Sequence, residues 1–503
     1  MEKKMNTLDS NPQTINETRH GQVAGQLNET SEQVCIVDND NTVSPSDQLR
    51  ETFPQLLLEP RVDEDLGSDA CPWLDEYIKF SRKWSPESYD GYHEACGLFV
   101  LSTIAARRVI FNLGGVRATN LNILLVGRTS VHAKSTAAEI GIGLLRAANL
   151  DWLIAPDEIT PQKLIESMSS NVLPANINDL EGNERQRSIN RILTAGQRGW
   201  FLDEFGGNLS SMMQPDSVMS GIKGLIRILD GAPPYYDYST ISRGQNLVFN
   251  PYLPILGNIT IADFVPYARK GNTLWGDGFI SRFAMVVPSA NYLNFGEFPN
   301  QERVFPESLI SPLVDWNERL GFPEYRIVES EGKHILIFQP TTPAPLTISQ
   351  AVFKAYYKYR VALRIMIVNS HNHDFDGNYA RLPEKALRIA ALFASIGGYS
   401  SIELNHWAKA QAIAERWRIG LHELYRQLND TNLDQQVKFV RSLPIEDQVL
   451  RAVAIKKMLD IRGICQFTHL KADIVRPAVE KLVSDYKLEV IDDNGNKRFV
   501  SRE

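Results

Sequence analysis

The stretch LNILLVGRTSVHAKSTAAEIG, residues 121–141, constrains the fold more than any other. Its NILLV run is apolar without alternation, as expected of a strand covered on both faces. KSTAAEIGIGLLRAANL then takes up helical period, with hydroxyls in its opening turn. The order is therefore strand, loop, helix, and a strand buried on both faces requires an α/β layer around it. A loop so placed grips phosphate when successive N–H groups and a helix amino terminus converge on the phosphate oxygens. A Lys then neutralises charge and a Ser or Thr holds Mg²⁺. On that pattern Gly127 opens the loop, Lys134 reaches the β and γ phosphates, and Ser135 binds the metal, with Thr136 as a second hydroxyl. The spacing departs in two ways: Ala133 stands where the second glycine is usual, and one extra residue separates Gly127 from Lys134. A strand, turn and helix with no ligand has the same outline.

Phosphoryl transfer also needs carboxylates beside the loop. RGWFLDEFGG reads as an apolar strand ending in Asp203 and Glu204. Asp203 would accept the metal's waters, and Glu204 would orient and deprotonate the attacking water; a solvated strand end is the alternative. In NPYLPILGNITIADF a further strand finishes at Asn258. Inserted between the two phosphate-contacting strands, it would let Asn258 sense the γ-phosphate, whereas a structural Asn in a turn is the competing explanation. In WGDGFISRFAMVVP, Arg282 follows a glycine-bearing turn and precedes a short strand, where a guanidinium can reach phosphate on a neighbouring subunit.

Five segments follow along the chain. Residues 1–68 are polar and acidic, too poor in periodic apolar residues to offset ordering entropy, and read as a disordered tail; the short FPQLLLEP patch within them could dock on a partner. Residues 69–120 show helical spacing, broken at Pro86. Residues 121–342 alternate helices with short strands, residues 343–428 are helical, and 440–503 read helix, short helix, helix, hairpin. The net charge of −7 is concentrated in the tail: residues 1–70 hold 5 Lys/Arg and 14 Asp/Glu, leaving 48 basic against 46 acidic side chains elsewhere. A nucleic-acid partner is thus not excluded. No apolar run is long enough to span a membrane. With 4 scattered cysteines and no secretory leader, a cytoplasmic setting is expected.

Taken in order, GRTSVHAKST, GWFLDEFGG, PYLPILGN, DGFISRF and RLPEKALRIAALFA resemble a family of P-loop ATPases of bacterial, phage and plasmid genomes related to primase-associated helicases, over roughly residues 70–428. ISRF at Ser281, Arg282 and Phe283 is similar to the segment that carries the trans-acting arginine in AAA+ minichromosome maintenance helicases. ARLPEKALRIAALFA is similar to their lid helix, which makes Arg381 a nucleotide-sensing candidate and Arg388 its reserve. The resemblance implies an α/β P-loop NTPase, AAA+-like, with a helical N-terminal segment (69–120), the ATPase core (121–342), a helical lid (343–428) and a C-terminal winged helix (440–503). ATP and Mg²⁺ are the implied cofactors.

PYYDYSTISRGQNLVFNP alternates on both sides of SRGQ and reads as a hairpin. In the resembled helicases a hairpin here enters the pore of a ring, which makes Arg243 a phosphate contact, while Tyr236 and Tyr238 would pack the hairpin. In the C-terminal segment, Lys471, Arg476 and Lys481 fall on the third helix and Lys497 and Arg498 on the wing, the placement of DNA contacts in a winged helix. Its 12 basic and 10 acidic side chains also suit a protein-docking role. The expectation is an ATP-dependent, ring-forming DNA helicase or translocase-like motor in replication of a mobile element or phage, homo-oligomeric, with single-stranded DNA in its pore. The alternative is an ATP-switched DNA-binding regulator or replication initiator that unwinds nothing.

Overall fold

The computed structural model describes residues 55–56 and 59–501, apart from 129–130, 157, 215–218, 241–243, 340–342, 371, 430–444, 457, 469 and 494–495. Most of the acidic tail, Arg243 at the hairpin tip, and residues 440–444 of the last segment lie outside the described residues.

Pro72 occupies the first turn of α1 (Pro72–Trp84), where its missing N–H costs nothing. α2 (Asp90–Ala105) is buried along almost its whole length and has no polar face. A helix apolar all round belongs inside a core, and α2 packs against the central sheet. A small hairpin of β1 (Ile110–Asn112) and β2 (Val116–Ala118) leads into β3 (Asn122–Val126), every residue of which is buried. Then come α3 (Lys134–Ala147), α4 (Pro161–Ser169), α5 (Gly182–Leu193), β4 (Trp200–Leu202), α6 (Phe205–Met212) and α7 (Met219–Ile228). An antiparallel hairpin of β5 (Tyr235–Thr240) and β6 (Gly244–Phe249) precedes β7 (Ile255–Ile259) and β8 (Phe283–Val286).

The central sheet is parallel and four-stranded, in the order β4-β7-β3-β8. β7, though later in the chain than β4, lies between it and β3, pairing Asn122 with Ile255 on one side and Trp200 with Ile255 on the other. The core is thus a mixed α/β arrangement of the Rossmann-like kind. Parallel strands set all four carboxyl ends along one edge and all four amino ends along the other.

The chain continues with α8 (Glu307–Leu320), a hairpin of β9 (Tyr325–Ser330) and β10 (Lys333–Phe338), β11 (Thr347–Ile348), α9 (Gln350–Ser370), α10 (Asp376–Ile396), β12 (Ser401–Ile402) and α11 (Leu404–Leu428). α10 and α11 share the hydrophobic core of the sheet. α11 lies so close to β8 that a Cβ at Gly420 would stand 2.6 Å from the Met285 carbonyl oxygen. The segment expected as a lid is therefore helical, with these two helices built into the core. The tail expected over 1–68 is likewise shorter at its described end. Leu56 is buried, Gln411 of α11 bonds both Val62 N–H and the Pro60 carbonyl at 2.8 Å, and Glu64 pairs with Arg416 at 2.9 Å. Leu56 of the FPQLLLEP patch packs in this chain's own core, a contact that a single greasy cluster does not announce.

α12 (Ile445–Lys456), α13 (Ile461–Thr468), α14 (Ala472–Ser484), β13 (Leu488–Asp493) and β14 (Asn496–Ser501) enclose a separate core of Val449, Val453, Ile464, Val475, Leu482 and Phe499. Leu459 and Phe499 exchange backbone bonds of 3.1 and 2.7 Å, a single antiparallel bridge onto the β13–β14 hairpin. No described helix is long and apolar enough to cross a membrane. Replacing Gly420 by Ala should destabilise the fold by about 1–3 kcal/mol, the usual cost of overpacking, as read from urea unfolding; an unchanged midpoint would show that α11 and β8 have room to part.

Candidate functional site

At the carboxyl edge of the sheet, the turn after β3 is braced from several sides. Gly127 N–H donates to the Ile259 carbonyl at the end of β7 (3.1 Å), and the Tyr92 hydroxyl donates to the Val126 carbonyl (2.6 Å). A Cβ at Gly127 would lie 2.4 Å from the Tyr92 hydroxyl oxygen and 2.6 Å from His132 Nδ1, so this position accepts only glycine. Arg128 N–H donates to His132 Nδ1 (3.2 Å), which leaves Nε2–H to face the Tyr292 carbonyl at 3.2 Å. Ala133 has φ 42 and ψ 42, a left-handed conformation in which glycine is at ease. The loop keeps that backbone with an alanine, at about 1–2 kcal/mol of strain, and Ser88 holds it by donating to the Ala133 carbonyl (2.9 Å).

Lys134 is the first residue of α3 and is buried. Its ammonium stands over the loop, donating to the carbonyls of Gly127 (2.9 Å) and Arg128 (3.2 Å). Burial brings it down to about 8, against the opposing pull of Asp203 and Asp263. Thr136 follows in the first helical turn, half-buried.

Ser135 in the first turn of α3, Asp203 just after β4 and Asn258 near the end of β7 meet at this edge. The Ser135 hydroxyl donates to Asp203 Oδ1 at 2.6 Å, and Asn258 Nδ2 donates to the same oxygen at 2.7 Å and approaches Ser135 Oγ at 3.4 Å. Asn258 Oδ1 is buried with no donor on it. Glu204, exposed beside Asp203, occupies the N-cap position of α6 without a side-chain capping bond, and its carbonyl accepts from Asn208 Nδ2 at 3.2 Å. One further carboxylate escaped sequence reasoning. Asp263 closes a capping box with Thr260, whose hydroxyl donates to Asp263 Oδ2 at 2.7 Å, and its charge is felt at Lys134. The Thr-x-x-Asp spacing directly after the Asn258 strand is the signal that marks it.

The expected arginines lie elsewhere. Arg282 immediately precedes β8, whose Phe283 pairs with Asn122 at the start of β3, so Arg282 sits at the amino edge of the sheet. Arg388 donates to the Asn120 carbonyl at 3.0 Å, at that same edge. β3 separates them from the loop at residues 127–134 by roughly 15 Å, five residues at strand rise. Both converge on Asp230 together with Arg381, with Arg282 Nε at 2.8 Å, Arg388 Nη2 at 3.1 Å and Arg381 Nε at 3.6 Å. Burial alone would raise the Asp230 carboxyl, but the guanidiniums of Arg388, Arg282 and Arg381 outweigh it and hold it below its ordinary value. Arg381 and Arg388 lie within α10, not at its first turn.

The β5–β6 hairpin leaves the same amino edge. Tyr236 and Tyr238 stack on each other at 6.1 Å, and the Tyr236 hydroxyl donates to the Gly221 carbonyl at 3.1 Å, so both pack the hairpin onto α7. In the C-terminal segment, Lys471, Arg476 and Lys497 share a groove of about 590 Å³ with Arg462 and Asp460. Arg498 lies on the wing with Nη1 3.7 Å from the Met458 sulfur, and Lys481 turns to Glu446 at 2.8 Å.

No protein-family model matches the chain, and no curated protein matches it. Relief of the left-handed alanine makes Ala133→Gly a stabilising change of on the order of 1 kcal/mol net of the extra chain entropy, measurable by urea unfolding. A loss of stability would show that the alanine methyl packs usefully.

Proposed function

We propose that this protein is a P-loop NTPase of the AAA+ kind, which binds and hydrolyses ATP with Mg²⁺ and works as a ring-forming motor on DNA. The observation that carries the proposal is the meeting of Ser135, Asp203 and Asn258 beside Lys134. A hydroxyl and a carboxylate 2.6 Å apart form a pair of hard oxygen ligands of the kind Mg²⁺ takes together with phosphate oxygens. The orphaned Asn258 Oδ1 is an acceptor suited to a water at that place, and Lys134 is already aimed over the loop. Ser135 and Asp203 would hold the metal, which when bound would supply neutralisation of phosphate charge. Lys134 would turn from the loop carbonyls to phosphate oxygens, and Glu204 would take the proton of the attacking water with Asn258 positioning that water.

Arg282 cannot serve the nucleotide on its own chain, because it stands at the opposite edge of the sheet. In a ring the amino edge of one protomer would face the carboxyl edge of the next, and Arg282, with Arg381 beside it, would leave Asp230 for the neighbour's γ-phosphate. Arg388 is anchored by Asn120 and Glu384 and steadies that cluster. The hairpin that should carry Arg243 into a pore arises from the same edge, so nucleotide state and DNA contact would share one moving part. The basic groove of Lys471, Arg476 and Lys497 gives the second reading its support: an ATP-switched DNA-binding regulator or replication initiator would need that groove and no strand displacement.

The test is an ATPase assay with and without single-stranded DNA, comparing wild type with Lys134→Ala, Glu204→Gln and Arg282→Ala. Lys134→Ala should lose ATP-dependent heat stabilisation. Glu204→Gln should keep it while turnover falls about 10²–10⁴-fold, and Arg282→Ala should lose about 10³-fold or more. Wild-type turnover in Arg282→Ala overturns the shared site, and strand separation absent at full ATPase activity favours the switch. Nucleotide affinity should also fall as pH rises past about 8, because Lys134 is cationic below that value and neutral above it; a flat affinity from pH 7 to 9.5 removes Lys134 from the phosphate contact.

A further inference from the structure

A cavity of about 420 Å³, within the range of small-molecule sites, opens at the amino edge of the sheet, away from the phosphate loop. Met168, Leu193, Leu336 and Phe338 give it apolar walls, while Arg107 and Arg108 line one side, and no Asp or Glu lines it. Both guanidiniums are fixed by neutral acceptors. Arg107 Nη1 donates to the Pro233 and Pro251 carbonyls at 2.9 and 3.3 Å. Arg108 Nη2 donates to the Ile104 carbonyl and Asn317 Oδ1 at 2.7 and 2.9 Å, and Nη1 to the Asn317 and Gly321 carbonyls at 3.2 Å. Its Nε has no acceptor.

Behind the wall, Arg198 is held in the same manner, by the Thr194 carbonyl at 2.8 Å and the Arg191 carbonyl at 2.6 Å. Among the described residues none of these three arginines has a carboxylate within ion-pair distance. Carbonyls satisfy the N–H groups and leave the charge standing, which is costly in a low-dielectric surrounding. Burial brings both Arg108 and Arg198 down to about 9, the direction expected of cations that lack a counter-ion. The walls therefore set positive charge beside a space lined by both apolar side chains and neutral polar ones such as Ser169, Asn171 and Asn246.

We propose that this cavity is a binding site for a small organic anion: a compact apolar body carrying one carboxylate or phosphate group, seated with that group toward Arg107 and Arg108. Two fixed cations without any metal-ligating side chain match a single acidic group and not a polyphosphate, so the site is distinct in kind from the loop at Lys134. The inference does not depend on the ATPase reading, since its ligand, its edge of the sheet and its residues all differ.

The probe is 8-anilinonaphthalene-1-sulfonate, titrated by fluorescence into the full chain. One saturable site is expected that excess Mg-ATP leaves in place, that binds the uncharged N-phenyl-1-naphthylamine about tenfold more weakly, and that weakens about tenfold in Ala195→Phe, which fills the cavity from a buried wall position. Should Ala195→Phe fail to fold, Ser170→Trp at the half-buried rim is expected to give the same loss. Displacement by octanoate assigns the carboxylate form and displacement by phenyl phosphate the phosphate form; displacement by neither overturns the proposal. Equal affinity for the charged and uncharged dyes also overturns it. So does a folded Ala195→Phe that binds as well as wild type, because the dye would then be sitting on exposed apolar surface such as Phe353, Tyr357 and Val361 of α9.

Discussion

The 2.6 Å contact between Ser135 and Asp203, with Asn258 on the same carboxylate oxygen at 2.7 Å, is the interaction on which the site depends. It exists because β7 lies between β3 and β4, so that the residues after three parallel strands arrive at neighbouring points of one edge. Moving β7 to the outside of the sheet would leave Asp203 and Ser135 adjacent but take Asn258 away. The contact is polar and partly open, so its stabilising contribution is modest, about 1–3 kcal/mol for a charge-assisted bond. Its value lies in holding a hydroxyl and a carboxylate close before any ligand arrives.

The second constraint is the polarity of the sheet. Since all four strands run the same way, Lys134, Ser135, Asp203, Glu204 and Asn258 share one edge, while Arg282, Arg381, Arg388 and Asp230 share the other. On the proposed function, a single chain would hold both halves of a phosphoryl-transfer site at opposite edges of the sheet, where they cannot meet. Asp230 gives the arginines an internal counter-charge within the chain, which on the proposed function they would exchange for a neighbour's phosphate. Lys385, buried beneath it with its ammonium on the Phe283 carbonyl at 2.6 Å, is pushed down to about 7 by burial and by the surrounding arginines. Burial is the larger cause, and the arginines add to it against the opposing pull of Asp230.

Much of the carboxyl edge was legible in the sequence, because an unbroken apolar run followed by Gly127 and Lys134, or by Asp203 and Glu204, has few foldings. The order helix, short helix, helix, hairpin of the last segment was legible for the same reason, through helical period and a paired hairpin. Ala133 looked like a defect in the loop pattern, and only backbone angles show that it adopts the conformation a glycine would have supplied. Asp230 was not legible, since LDGAPP carries no period and its role follows from where α7 ends relative to β8 and α10. Nor was the docking of residues 55–68 on α11, where the contacts are single side chains such as Gln411 and Arg416 reaching a segment of no regular pattern. α10 and α11 read correctly as helices, but their apolar faces do not say whether they cover the sheet or stand apart from it.

The claim at the centre of this account is that each active site is built from two protomers. Mixing two inactive variants tests it most directly, since Glu204→Gln retains Arg282 and Arg282→Ala retains Glu204. Co-assembled in equal amounts, they should regain ATPase activity, because some interfaces then pair an intact carboxylate from one protomer with an intact guanidinium from the other. Activity that stays at the level of the separate variants, in a mixture shown by size to have co-assembled, would contradict it.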